Sequence, residues 1–509
     1  MRKAIGFTLI IAIIAGLIVC TILWPIYGFS LIGLSLFGIG LYDIFQKKHA
    51  ILRNFPLIGH MRYLLEMISP EIHQYFVEND TDGKPINRSH RSYIYARAKL
   101  ENDTHPFGTE LNVEVENFKW MQHSIYPSEL KKDIPRVDIG GPDCKKPYNA
   151  SLFNISAMSY GSLSKNAIEA LNKGAKAGNF FHDTGEGAIS DYHLNGGDLV
   201  WEIGTGYFGC RTDDGNFDPE KFSKKANLSV VKMIEIKISQ GAKPGHGGVL
   251  PASKNNEEIA KIRGVEPHTE VLSPPGHKAF SDAEGLLKFV KQLRDLSGGK
   301  PVGFKLSIGS KNEFFEICEK MIETGIKPDF ITVDGAEGGT GAAPIDFSNS
   351  VGMPWEKALL FVVDALNGYD LKKDIHIITA TKIITAFDIF KALCIGADLC
   401  NSARGMMFAL GCIQSLKCDT NKCPTGVATN DKRFTKGLVV EDKWKRVKNY
   451  QEQTLRDFME LFAAAGCNSL EDLNRDLINK QINDEIKSYS YFYPPVTSGA
   501  YLKEENILP

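Results

Sequence analysis

The stretch that decides the fold runs from Pro301 to Gly341 and reads PVGFKLSIGSKNEFFEICEKMIETGIKPDFITVDGAEGGTG. It contains a short apolar run, Val302–Leu306, a helical pattern, Glu313–Thr324, and a second apolar run, Phe330–Val333. Short apolar runs that alternate with helical patterns are typical of parallel strands joined by crossover helices. The stretch therefore predicts one β–α–β unit, with the glycine-rich turn Gly338–Gly341 after its second strand.

The same alternation continues on both sides of this unit. The candidate strands are Leu152–Ser156, Phe180–Asp183, Leu199–Ile203, Lys232–Ile238, Val302–Leu306, Phe330–Val333, Ile375–Thr379 and Leu399–Asn401. The clearest helical patterns are Lys165–Ala177, Ala283–Leu296, Glu313–Thr324 and Ala386–Cys394. Eight such units predict an α/β fold of the (β/α)8 TIM-barrel class, and a doubly wound open sheet is the alternative.

A barrel carries its chemistry in the loops that follow the strands. Unusual, glycine-rich segments lie at these places, and they include the loops Met158–Gly161, Thr184–Gly187, Gln240–Gly245, Gly338–Gly341 and Ser402–Gly405. This coincidence predicts that the chain is an enzyme whose site lies at the carboxyl ends of the strands.

The composition is that of a folded globular protein. Of the 509 residues, 43% are hydrophobic and 24% are charged, and the formal net charge of -2 provides no basic field for nucleic acid. Nucleic acid is therefore not an expected partner. The ten cysteines are scattered except for a group between Cys394 and Cys423, which suggests metal or redox chemistry rather than a disulfide framework.

The amino-terminal residues predict a transmembrane helical hairpin. Ala4–Trp24 carries no charge, Pro25 breaks the run, and Ile26–Tyr42 is a second uncharged stretch. Basic residues flank the pair, which favours both ends in the cytoplasm and a location in the cell inner (cytoplasmic) membrane, with the catalytic part in the cytoplasm. The alternatives are one span with a re-entrant second segment, a cleaved signal peptide and a buried hairpin.

Four segments follow from these patterns. We expect a membrane anchor at 1–48, a wrapping segment at 49–148, the barrel at 149–435 and a helical, aromatic extension at 436–509. The last segment suggests no chemistry of its own.

Motifs of the barrel loops resemble those of a known enzyme family. The segments are Ser156–Ser164, Thr184–Gly187, Gln240–Gly245, Ser273–Pro275 and Gly338–Ala342. In this order they are similar to the FMN-binding domain of glutamate synthase, over about residues 150–432, in its stand-alone form without a glutaminase domain. The resemblance implies that electrons enter through an iron–sulfur cluster and reduce FMN. The flavin would then deliver a hydride to an imino acid formed from 2-oxoglutarate and ammonia.

The resemblance also implies the residues that hold the flavin. They are Met158, Ser159, Lys305, Gly338, Gly339, Ser402 and Arg404. Lys305 would face the N1–O2 edge of the reduced flavin, and Arg404 with the backbone around Ser402 would bind its phosphate. Alternatively, Lys305 pairs with a neighbouring carboxylate and Arg404 is a surface residue in an ion pair.

Three cysteines form the pattern Cys412-x5-Cys418-x4-Cys423, followed by Pro424. Thiolates are soft ligands suited to iron–sulfur clusters, and the resemblance implies a [3Fe–4S] cluster at these positions. Three reduced thiols, or a zinc ion with Asp419 as fourth ligand, are the alternatives.

Three charged residues match the substrate positions of the family. Lys243 and Arg263 would bind the two carboxylates of 2-oxoglutarate, and Glu186 would handle the proton that accompanies hydride delivery. The alternatives are solvated surface cations and a turn carboxylate. Two neighbours depart from the family pattern, because Val249 replaces its usual Gln and His246 its usual Glu.

The partners are expectations from what the sequence contains. Ammonia would come free or from a separate amidotransferase, or another amine would serve. No Gly-x-Gly-x-x-Gly follows a strand in a convincing Rossmann context, so ferredoxin or a membrane-associated protein is the expected electron donor. Two other functions compete: oxidation of a hydroxy acid or secondary amine with His246 or His277 as base, and a membrane-tethered electron-transfer subunit.

Overall fold

The structure is a computed structural model that describes Gly16, Val19 and residues 25–101, 104, 106–483 and 485–503. It separates into two compact units. The first unit ends at Arg88, and the second begins at Ser89.

Eight parallel strands close into a barrel in the second unit. In chain order they are β1 (Phe153–Ile155), β2 (His182–Asp183), β3 (Leu199–Ile203), β4 (Val231–Lys237), β5 (Val302–Leu306), β6 (Phe330–Asp334), β7 (His376–Ala380) and β8 (Leu399–Ser402). Each strand pairs with the next, and β8 returns to β1, with Cys400 opposite Phe153. The barrel prediction is confirmed, and closure excludes the open sheet.

Helices follow the strands around the outside of the barrel. They are Lys165–Gly178, Pro219–Ala226, Glu257–Arg263, Ala283–Leu296, Lys311–Thr324, Ile345–Ser350, Trp355–Gly368, Ala386–Ile395 and Arg404–Leu410. Side-chain caps precede two helices that begin where the patterns predict. Ser164 accepts a hydrogen bond from Ala167 N, and Asp282 accepts one from Gly285 N.

Chain segments outside the barrel cover its flank. The helix Val440–Ala464 lies against Lys165–Gly178, and its buried Tyr450 donates a hydrogen bond to Ile384 O at 2.7 Å. Helix Lys432–Thr435 precedes it, and Tyr489–Phe492 follows. The strands Lys119–Met121, Ile478–Ile482 and Glu485–Ser488 form a small antiparallel sheet, and Arg136–Ile139 pairs with Tyr148–Ser151.

The first unit is helical. Its helices are Pro25–Phe45, Ala50–Asn54, Gly59–Ile72 and the π-helix His73–Val77, and Arg88–Lys99 begins at its end. Asp43 is fully buried, and its carboxylate accepts hydrogen bonds from Leu57 N and from the ring of His60. These bonds tie the long first helix to the turn that begins the third.

The predicted membrane hairpin requires a correction. The first predicted span, Ala4–Trp24, lies outside the described residues except for Gly16 and Val19. The second, Ile26–Tyr42, corresponds to helix Pro25–Phe45, and the buried carboxylate of Asp43 lies near the end of that helix. No helix within the described residues is long and apolar enough to cross a membrane, which contradicts the predicted inner-membrane location.

Candidate active site

Glu186 lies in the loop after β2. Two glycines from neighbouring loops leave room for its side chain. A Cβ atom on Gly248 would lie 2.1 Å from Glu186 Oε1, and one on Gly204 would lie 2.7 Å from Glu186 Cβ. Any larger residue at these positions would displace the carboxylate. Gly204, directly after β3, and Gly248, in the turn after β4, therefore leave the space that Glu186 occupies.

Three cations surround this carboxylate at the carboxyl ends of β2 and β4. Lys237, the last residue of β4, places its Nζ 3.2 Å from Glu186 Oε2. Lys243 donates to Gly247 O at 3.2 Å, and Arg263 Nη2 donates to Tyr160 O at 3.0 Å. We call Glu186, Lys237, Lys243 and Arg263 the mouth cluster.

Sequence reasoning predicted three members of this cluster and missed Lys237. The residue lies inside the predicted strand Lys232–Ile238, among apolar neighbours. A lysine in an otherwise buried strand was the signal that singled out Lys305. The same signal was available for Lys237.

The charges of the mouth cluster shift one another. Burial alone raises the pKa of Glu186, but the cations Lys237, Lys243 and Arg263 outweigh it and hold that pKa below its usual value. Burial, reinforced by Lys237, lowers the pKa of Lys243 to about 8. Burial also lowers the pKa of Arg263 to about 10. Glu186 is thus ionised at neutral pH. The three cations around it outnumber this one carboxylate.

The cluster has capacity for an anion from outside the chain. It contains three cations and one carboxylate, and the buried Nε of Arg263 has no hydrogen-bond partner among the described residues. An unsatisfied buried N–H is costly, and a carboxylate would accept from it. This arrangement suits a dicarboxylate.

Two cavities lie at opposite ends of the barrel. One of about 20 Å³ is lined by the mouth-cluster residues Glu186 and Lys237 together with His246. It has room for about one water, so a substrate has to separate some of its walls. The other, of about 350 Å³, is lined by Lys146, Lys232 and Lys300 at the amino ends of the strands, away from the loops that carry the chemistry of barrels.

Lys305 finds its partners inside the barrel. Its ammonium pairs with Glu202 through a short contact, and lies 3.4 Å from Glu235 Oε1. Among the described residues, the group of three ligand-bearing side chains whose atoms lie within 4.8 Å of one another is Asp183, Glu202 and Glu235. We call these three carboxylates with Lys305 the barrel cage.

The barrel cage balances its own charge. Burial and the neighbouring carboxylates Glu235 and Glu202 raise the pKa of Asp183 well above its usual value, and burial raises that of Glu235. The three carboxylates outweigh the burial of Lys305 and raise its pKa. The predicted contact of Lys305 with the flavin stays a prediction, since the partners in the structure are carboxylates.

The loops predicted to hold the flavin come together beside these groups. A Cβ atom on Gly241 would lie 1.9 Å from Gly335 O and 2.8 Å from Gly338 N, so the loops after β4 and β6 touch through their backbones. Asp334 accepts a hydrogen bond from Gly241 N at 2.8 Å and joins the same loops. Met158 is buried in the loop after β1.

The predicted phosphate residues also lie together. Arg404 donates to Glu337 O at 2.8 Å and lies next to Gly339, while Ser402 donates to Ile383 O at 2.7 Å. In the neighbouring loop after β7, Thr381 and Lys382 have φ angles of 104° and 50°. The backbone of this loop thus adopts a conformation that glycine favours, although neither residue is glycine.

The three predicted cluster ligands lie in one loop after β8. Cys412 Sγ accepts from Gln414 N at 3.4 Å, and Cys423 Sγ lies 3.5 Å from Thr425 Oγ1. Burial raises the pKa of the Cys412 thiol to about 12, and Cys418 and Cys423 contribute to the rise. Among the described residues, the three thiol sulfurs do not all lie within 4.8 Å of one another, as the ligands of a single zinc ion would.

The histidines proposed as alternative bases are both engaged. The Nε2 of His277 donates to Lys237 O, and its Nδ1 accepts from the Tyr207 hydroxyl. Burial lowers the pKa of His277 to about 4. His246 directs Nδ1 to Gly247 O at 2.9 Å. The alternative function, in which His277 is the base for the oxidation of a hydroxy acid, therefore has little support.

Several proteins of known description are similar to this chain in sequence. The family model described as "Conserved region in glutamate synthase" matches residues 120–468. The glutamate synthase large subunit-like protein YerD of Bacillus subtilis is 38% identical over 91% of this chain and 94% of its own length. The archaeal-type glutamate synthase [NADPH] of Thermotoga neapolitana is 32% identical over 64% of this chain and 61% of its own length.

Among solved structures, a mutant flavocytochrome b2 with pyruvate bound covers 84% of this chain and 87% of its own length. Its identity is 13% and its TM-score is 0.41, which is too low to bear on function. The family model and the identity to YerD are sufficient by themselves to assign the family. This chain belongs to the glutamate synthase family and is an oxidoreductase of the glutamate synthase type.

Proposed function

We propose that this chain reduces an imino acid, formed from 2-oxoglutarate and ammonia, to glutamate, with FMN and a [3Fe–4S] cluster as its redox groups. Membership of the family implies 2-oxoglutarate and ammonia or another amine as substrates, and supports FMN. The observation that carries the proposal is the mouth cluster, where three cations surround one ionised carboxylate. This charge pattern leaves two cations for the two carboxylates of the substrate.

Lys243 and Arg263 are the residues that we assign to the substrate carboxylates. The planar fork of Arg263, with its partnerless Nε, matches a carboxylate in two-point geometry. Lys243 adds a point charge from the turn after β4. Glu186 remains ionised beside them, so it can accept a proton from the amine as the amine adds to the 2-oxo carbon.

Substrate entry has to open the mouth cluster. Because the cavity beside Glu186 measures about 20 Å³, a dicarboxylate fits only when the Glu186–Lys237 contact lengthens or the turn Gly245–Gly248 moves. The substrate carboxylate would then replace Glu186 as a partner of the lysine. His246 and Val249, which depart from the family pattern, lie in and beside this turn.

The loops around the barrel mouth fit FMN. Bulky residues are absent where Gly241 and Gly338 approach, and we assign the ring-binding surface to the backbone of these loops and to Met158 and Ser159. Arg404, with the backbone from Ser402, would hold the phosphate. FMN, when bound, supplies the hydride transfer of the reaction, while the protein supplies position and charge.

We assign the cluster to Cys412, Cys418 and Cys423, in agreement with their shared loop and their thiol spacing. The surface beside them suits an acidic electron donor of the ferredoxin type. Five basic residues lie on or beside the cluster loop: Lys417, Lys422, Lys432, Arg433 and Lys436. The apolar Leu416 is exposed among them. Charge complementarity of this kind speeds encounter with an acidic protein.

The function is tested on protein purified without air. Visible and low-temperature EPR spectra report flavin and cluster together. Glutamate formation is then measured with 2-oxoglutarate, ammonium and a chemical reductant, beside a panel of hydroxy acids and N-alkyl amino acids. We expect flavin, iron and glutamate. Protein that lacks flavin and iron, or a rate with the panel that exceeds the rate with 2-oxoglutarate, would overturn the proposal.

The donor surface has its own test. Substituting Lys422→Glu together with Lys432→Glu should slow reduction by a ferredoxin but leave reduction by a small chemical reductant unchanged. Lys224→Glu, on the exposed face of helix Pro219–Ala226, is the matched control. Equal effects of the two charge reversals would contradict this surface.

A further inference from the structure

Lys254 lies between two loops that the proposed reaction uses. The flavin loop, Met158–Ser164, follows β1, and the cluster loop, Cys412–Cys423, follows β8. The Lys254 ammonium donates to Ser162 O in the first loop at 2.6 Å and to Cys418 O in the second at 3.0 Å. The residue is only 3% exposed. One buried side chain therefore joins both loops.

A second side chain holds the same junction. Asn430 Nδ2 donates to Gly161 O at 2.9 Å and to Lys254 O at 3.2 Å. Asn421, inside the cluster loop, donates to Ser253 O at 2.7 Å. The backbone that carries Lys254 is thus fixed to both loops independently of the ammonium. Loss of the Lys254 charge alone need not separate them.

The charge of Lys254 has no ion-pair partner among the described residues. Its hydrogen-bond acceptors are two carbonyl oxygens. A buried ammonium is costly without an anion. Thiolates of a cluster bound at Cys418 and its two companions would supply negative charge at this place.

We propose that Lys254, held at the junction of the flavin loop and the cluster loop, is a positioning residue whose positive charge lies beside the cluster thiolates. A nearby positive charge stabilises the cluster more strongly after it has gained an electron, and so raises its reduction potential. The inference deepens the proposed function and rests on the presence of the cluster. It concerns the ease with which a donor reduces that cluster.

The chain offers a matched control for a buried lysine. Lys300 is also buried, and it donates to Ala226 O at 2.6 Å and Leu228 O at 3.1 Å. It lies before β5, at the amino ends of the strands, whereas the cluster loop follows β8 at the opposite end. Lys300→Gln removes the same type of group without changing the charge near the thiolates.

The test is an EPR-monitored redox titration of the holoenzyme and of Lys254→Gln, Lys254→Arg and Lys300→Gln. In Lys254→Gln we expect the ratio of reduced to oxidised cluster at a fixed potential to fall about tenfold, equal to about 59 mV for one electron. Lys254→Arg and Lys300→Gln should stay within about twofold of the wild type, because both keep the charge beside the cluster.

Each outcome decides the inference. Loss of iron from Lys254→Gln alone, with full iron in Lys254→Arg, would support the need for a charge at this position. A wild-type potential in Lys254→Gln, or loss of iron from both Lys254 variants, would overturn it. Wild-type protein without iron would instead end the proposed function, so the two failures are distinguishable.

Discussion

Two groups of charged residues lie within one barrel, and they differ in how their charge is balanced. In the barrel cage, Lys305 is surrounded by three carboxylates, and burial together with the neighbouring carboxylates raises the pKa of Asp183. In the mouth cluster, three cations share Glu186, and Arg263 keeps an unpaired N–H. The first group is satisfied by the chain itself, and the second calls for an anion from outside.

The comparison teaches that a lysine in a barrel strand has no fixed role. Lys237 and Lys305 both lie in parallel strands and are both buried. Lys305 has acidic neighbours on β4, which pairs with its own strand, and on β3, the next strand around the barrel, and so its charge is internal to the fold. Lys237 ends its strand at the level of the loops, where its charge can serve a ligand.

The largest expected effect is on stability, from Lys305→Met. Removing this cation leaves buried carboxylates without a partner, which costs about 3–5 kcal/mol. Lys243→Met should change the free energy of unfolding by less than about 1 kcal/mol, since the mouth cluster already holds surplus positive charge. Urea unfolding at pH 7 measures both. Similar losses in the two variants would erase the distinction between the groups.

The next effect is on catalysis, from Arg263→Ala. Removing one partner of a desolvated charge pair typically costs 2–5 kcal/mol, so kcat/KM for 2-oxoglutarate should fall by about 10²- to 10³-fold. Arg263→Lys keeps the charge without the fork and should fall between the wild type and Ala. Steady-state kinetics measure the loss, with flavin content as the check on integrity. A wild-type kcat/KM in the Ala variant would remove Arg263 from the substrate site.

A smaller effect tests the barrel cage without changing its charge. Thr332 donates a hydrogen bond to Glu235 from β6, and Thr332→Val removes only that donor. A lost hydrogen bond to a charged group should reduce the free energy of unfolding by about 1.5–3 kcal/mol. Thr324→Val, which loses a bond to the carbonyl of Lys320, is the matched control and should lose less. Chemical denaturation measures the free energy of unfolding of both variants. An equal loss in the two would contradict the expected difference.

Much of the fold was predictable because its signals are local. The limits of β3 and β5 and of the helix Ala283–Leu296 agree with the apolar and helical patterns residue for residue. The predicted hairpin lacks support, because no helix within the described residues is long and apolar enough to cross a membrane. An apolar stretch by itself does not distinguish a membrane from other surroundings.

The candidate site was less predictable, because its charge balance depends on neighbours far apart in sequence. Glu202 and Glu235 lie 103 and 70 residues from Lys305 along the chain, yet they are its partners. The motif around Gln240–Gly245 indicated Lys243 directly, whereas Lys237 and Lys254 belonged to no motif that was singled out. Their roles emerge only when strand register and loop contacts place them.

The smallest expected effect is a pH dependence that separates the two groups by sign. The pKa of Lys243 is about 8 when folded and 10.5 in its ordinary state. Above about pH 8 the residue loses its charge, so KM for 2-oxoglutarate should rise, by up to about tenfold per pH unit. The free energy of unfolding should rise over the same pH range, because between about pH 8 and 10.5 the unfolded chain binds the extra proton and the cost of burying the charged Lys243 is relieved.

The barrel cage should show the opposite sign. The folded pKa values of Asp183 and Glu235 lie above the ordinary 3.8 and 4.5, so their stabilising contribution is complete below those values and is lost as pH rises through the folded ones. Lys243→Arg should abolish the alkaline rise in KM and leave the acid-side change in stability intact, as KM and urea unfolding across pH would report. If the Lys243→Arg profile kept the rise near pH 8, another group would control substrate binding, and the mouth cluster would lose its titrating cation.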